Sequence, residues 1–95
     1  MKNLELEIYL NKLKSFFEKT PNQLKELIGD VDPTIFYNHV RIVVEDNINT
    51  QNTLELTRSQ MLEIILKINT KSSFKKIETS VNGFMSHHMG FICLN

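Results

Sequence analysis

The chain has 95 residues, 41% apolar and 23% charged, with eleven basic and eleven acidic side chains that cancel to a net charge of zero. That is enough chain for one domain with a limited core, and too little for two independent cores. The balanced charge argues against a partner gripped by net charge alone, such as a polyanion, and the single cysteine, Cys93, excludes an internal disulfide and fits a reducing compartment.

The opening MKNLELEIYL sets Glu5 and Glu7 among its apolar residues, which is unlike the apolar core of a signal peptide. No apolar run approaches the ~20 residues of a membrane span, so a cytoplasmic protein without membrane contact is expected. Leu6, Leu10, Leu13 and Phe17, with Tyr9 and Phe16 beside them, recur at helical spacing and predict an amphipathic helix over 4–18. Thr20-Pro21 reads as a cap followed by proline in the first turn, opening a short helix with Leu24, Leu27 and Ile28 on its apolar side. Gly29 then occupies the place of a C-terminal glycine with positive φ.

Asp32-Pro33 repeats the cap-and-proline start. Phe36, Val40 and Val43 fit a helix from 33 to about 45, although the β-branched run RIVVE also suits a strand, and the polar DNINTQNT of residues 46–53 reads as a loop. Thr57-Arg58-Ser59-Gln60 is a capping box, and Met61, Ile64, Ile65 and Ile68 line one face of the helix after it, over 57–68. A last apolar series comprises Phe74, Ile77, Val81, Phe84, His88 and Phe91. Its face lies roughly opposite that of Met61, Ile65 and Ile68 on a continuous helix, so a break across Asn69–Ser73 is expected, with a final helix over 73–88. The end, HMGFICLN, contains Gly90 and suits an extended tail. The sequence contains no alanine, so these helices depend on packing more than on propensity. The expected fold is an all-α single domain, residues 1–95, of about five helices.

The stretch QLKELIGDVDPTIFYNHV, residues 23–40, resembles the helix-turn-helix of bacterial DNA-binding regulators: an apolar helix, Gly29 at the turn, Val31, a cap-and-proline start, then a second helix with Phe36 and Val40 inward. The resemblance implies a second helix laid in the major groove, with Thr34, Tyr37, Asn38 and Arg41 facing DNA. Two features depart from the pattern. Lys25 stands where the helices of that family cross closely, and Asp30 lengthens the turn. Glu26, Asp30, Asp32, Glu45 and Asp46 also surround Arg41, against the phosphate neutralisation that dominates DNA affinity. A plain helical hairpin accounts for the same residues and is the preferred reading.

Charge is unevenly spread. Residues 1–57 hold six basic and nine acidic groups, residues 58–95 five and two, and Lys67, Lys71, Lys75 and Lys76 cluster around the break. His87, His88 and Cys93 lack metal-ligand spacing and the fourth donor that zinc needs, with His39 distant in sequence. No nucleophile, base and orienter are grouped, and the three glycines are too scattered for a phosphate loop. No catalytic residue, cofactor or metal is therefore assigned. Phe84, Met85, Met89, Phe91 and Ile92 form an apolar, sulfur-rich segment suited to core packing or to a partner. The sequence-based expectation is a small non-catalytic accessory or regulatory protein, of a size and composition that suit a phage or viral component. It would act through a protein partner or homo-oligomer built on that segment; the alternative is a DNA-binding regulator using residues 21–45.

Overall fold

A computed structural model describes the backbone of residues 2–92 and the side chains of residues 4–86. Five helices follow in order: α1 (Lys2–Lys19), α2 (Pro21–Ile28), α3 (Pro33–Gln51), α4 (Arg58–Ile68) and α5 (Phe74–Ile92). Among the described residues there is no strand, so RIVVE is helical. Leu6, Tyr9, Leu10, Leu13 and Phe17 of α1 meet Leu27 and Ile28 of α2, Phe36, Val40, Val44 and Ile48 of α3, Met61, Ile64 and Ile65 of α4, and Ile77, Val81, Phe84 and Met85 of α5 in one core. At its centre Phe17 stacks on Phe84 with centroids 5.4 Å apart and meets the edge of Phe36 at 5.9 Å. Such pairs add specific geometry to the apolar area they bury.

The turns explain the boundaries. Thr20 precedes Pro21 as expected, but its hydroxyl donates back to the Phe16 carbonyl at 2.9 Å and does not cap α2. Gly29 has φ 65° and ψ −131°, a backbone conformation closed to residues with a side chain, and its N–H reaches the Lys25 carbonyl at 2.8 Å. Asp32 caps α3 by accepting the Thr34 N–H at 2.9 Å.

Three expectations are corrected. The polar run after Glu45 is not a loop: α3 continues to Gln51 and stops at Asn52, which adopts the left-handed conformation with φ 53°. Val40, Val44, Asn47 and Ile48 continue one helical stripe, and Asn47 is buried because its polar atoms are all engaged. Of the end read as an extended tail, the described residues 88–92 are helical, since α5 runs to Ile92. Phe74, read as the first member of the last apolar series, is exposed at the outer start of α5.

The capping box of α4 forms in full. The Thr57 hydroxyl accepts the Gln60 N–H and the Gln60 side-chain oxygen accepts the Thr57 N–H, each at 3.1 Å. The break between α4 and α5 turns on Asn69, which is buried. Its amide donates to the Leu27 carbonyl at 3.0 Å, and its oxygen accepts the N–H groups of Lys71 and Ser72 at 3.3 and 3.2 Å. One side chain thus ties α2 to the turn that reverses the chain.

Candidate functional site

The residues named for DNA reading, Thr34, Tyr37, Asn38 and Arg41, lie together on α3, but they line a groove of about 250 Å³ whose other wall is Leu10 and Lys14 of α1. Arg41 forms a two-pronged pair with Glu7 of α1, one prong at 3.2 Å and the other, between Arg41 Nη1 and Glu7 Oε2, shorter. The Arg41 hydrogen bond holds the Glu7 carboxyl below the usual glutamate range, and the same bond raises the Arg41 pKa. The Lys14 ammonium sits 5.5 Å from the centre of the Tyr37 ring. Burial, and then the charge of Glu18, raise the Tyr37 phenol. These groups therefore face α1, and the arginine meant for phosphate or guanine already has a carboxylate partner.

The five residues named for association separate. Phe84 and Met85 are core residues, 5% and 3% exposed, with Phe84 also 6.0 Å from Phe16. The side chains of Met89, Phe91 and Ile92 lie outside the described residues, as do His87, His88 and Cys93. Exposed apolar side chains that the sequence reading did not single out appear elsewhere: Leu4 and Ile8 on α1, and Ile35 and Ile42 on α3, from 45% to 66% exposed. The signal was available in the spacing. Leu4 and Ile8 are four apart, Ile35 and Ile42 seven apart, and each pair falls on the helical face opposite the buried stripe.

Chemically, the surface is poor in convergent groups. A cleft between α2 and α5, lined by Gln23, Glu26, Leu27, Thr79, Ser80, Gly83 and Phe84, contains one ionisable side chain, Glu26. Among the described residues no three His, Cys, Asp or Glu side chains approach closely enough to share a metal ion. His39 Nδ1 lies 2.9 Å from the Ile35 carbonyl oxygen of its own helix, which can only accept from it. No helix among the described residues is long and apolar enough to cross a membrane. Comparison with protein-family models, curated proteins and solved structures gives no match for this chain.

Proposed function

We propose that the chain is a small non-catalytic accessory protein that acts through protein contacts, foremost by pairing with a second copy of itself. The supporting observation is the outer side of α1 and α3. These neighbouring helices, joined by the Glu7–Arg41 pair, carry Leu4, Ile8, Ile35 and Ile42 in water, while the other faces of both helices fill the core. Covering such side chains recovers ~25 cal/mol per Å² of apolar area, and a two-fold pair is the commonest closed way to cover them. Phe84 and Met85 are already used by the core.

The rival DNA-binding use of residues 21–45 has less behind it. Arg41 is held by Glu7, and Asp30, Asp32, Glu45 and Asp46 remain exposed around the same helix. A paired substitution, Ile8→Lys with Ile42→Lys, tests the proposal. Both positions are exposed, so the helical circular dichroism and the melting temperature should hardly change, while self-association should be lost. A variant that associates as strongly as the parent chain would show that this face is not the contact.

A further inference from the structure

On α3, Ile35, His39 and Ile42 follow one another at spacings of four and three residues, so they share one side of the helix. Ile35 and Ile42 are 45% and 64% exposed, and His39 between them is half-buried. The residues three and four places from His39 in either direction are Ile35, Phe36, Ile42 and Val43, all apolar. The imidazole is the polar group among these neighbours. Its Nδ1 lies 2.9 Å from the Ile35 carbonyl oxygen. That oxygen only accepts, so the contact requires hydrogen on Nδ1 and fixes the neutral ring as the Nδ1–H tautomer. Nε2, on the far side of the ring, keeps the lone pair and is the atom at which a second proton adds.

The charged groups able to offset that second proton stand back from it or are engaged. On α3 itself, Asp32 and Asp46 are seven residues to either side, about 10 Å along the axis and close to the screening length at physiological salt. The Asp32 carboxylate also caps the helix at the Thr34 N–H. Asp30, in the turn before α3, lines the cleft toward α5. α1 packs on the side of α3 marked by Arg41, where Glu7 holds that arginine and Lys14 lies over Tyr37; Glu45, four residues after Arg41, follows on that side. α4 packs along the other side, where Gln60 bonds Asn47. Glu63 and Lys67, three and seven residues after Gln60, continue that side of α4 as one acid and one base. Among the described residues no ion pair joins His39 to a carboxylate.

We propose that His39 makes self-association of the chain depend on pH: the neutral ring is accommodated beside Ile35 and Ile42 in the pair, and protonation at Nε2 drives the two copies apart. The proposal rests on the reading that the α1–α3 face is the contact between copies. Imidazole changes charge between pH 5 and pH 8. In a two-fold pair the change falls on both copies at equivalent positions of one apolar face, so pairing must withdraw two cations of like sign from water. Pairing is therefore strongest above the imidazole range and is lost as pH falls through it. Sedimentation equilibrium at pH 8 and at pH 5 tests this, with circular dichroism at each pH. The dissociation constant should rise at least about tenfold at pH 5, since juxtaposed like charges disfavour an interface by that much or more, while helix content stays the same. His39→Gln should pair equally at both pH values. His87→Gln with His88→Gln should keep the pH dependence, which separates His39 from the other imidazoles of the chain. Pairing at pH 5 as tight as at pH 8 or tighter, a pH effect that persists in His39→Gln or vanishes in the His87, His88 variant, or a loss of helix that accounts for the loss of pairing overturns the proposal and leaves the contact face standing. A chain that is monomeric at pH 8, or whose pairing at pH 8 survives Ile8→Lys with Ile42→Lys, overturns the contact face and the proposal with it.

Discussion

Gly29 in the α2–α3 turn lies against Asn69 in the α4–α5 turn, and each is specified by its chemistry. A Cβ placed on Gly29 would meet the Asn69 side chain at 3.6 to 3.8 Å, an ordinary contact, so space is not what requires glycine there; the positive φ is. Gly29→Ala should therefore destabilise the chain by about 1–3 kcal/mol through backbone strain, read as a lowered denaturation midpoint with an unchanged slope. The Glu7–Arg41 pair belongs to the same scale but acts at the surface, where screening limits its weight. Glu7 has its pKa lowered in the folded state, so whatever the pair contributes is present above the unfolded glutamate value and is lost as pH falls through the lower, folded one. In an NMR titration the Glu7 carboxyl should show a midpoint below the ordinary glutamate value, and Arg41→Ala should move it back up. An unchanged midpoint in that variant would mean that the pair does not persist in solution.

Helices were the most legible elements in the sequence, for physical reasons that differ by segment. α1 announces itself by leucines and phenylalanines at regular spacing, and α4 by a capping box followed by isoleucines. Starts marked by Pro21 and Pro33 are equally plain, since proline fits a first turn and no later one. The end of α3 was not legible, because its stripe continues through a polar residue. Asn47 donates to the Glu55 carbonyl at 2.8 Å and to the Gln60 side-chain oxygen at 2.9 Å, and accepts from the Gln60 amide at 2.9 Å. Those partners lie 8 and 13 residues away, beyond any local pattern. Gln60 thereby caps α4 and holds the last turns of α3 at once. Asn47→Ala should cost about 2–3 kcal/mol, because it removes three hydrogen bonds that tie α3 to the start of α4, and should increase hydrogen exchange in residues 46–52 first. A loss below about 0.5 kcal/mol would show that water replaces the network.

Across the whole molecule the core absorbs apolar side chains from all five helices, including Phe84 and Met85, which the sequence left open between the core and a partner. Whether an apolar residue on α5 faces the core or another protein depends on where α1 and α2 pack, and periodicity within α5 alone does not contain that information. The candidate contact moves accordingly to the opposite faces of α1 and α3, where Leu4, Ile8, Ile35 and Ile42 remain in water. Association through the α1–α3 face is the central claim, and sedimentation equilibrium of the unaltered chain, from micromolar to millimolar concentration, addresses it most directly. The expected result is a mass that rises from monomer to dimer and stops there, as a closed two-fold pair requires. A mass that stays at 11.1 kDa over the whole range would contradict it.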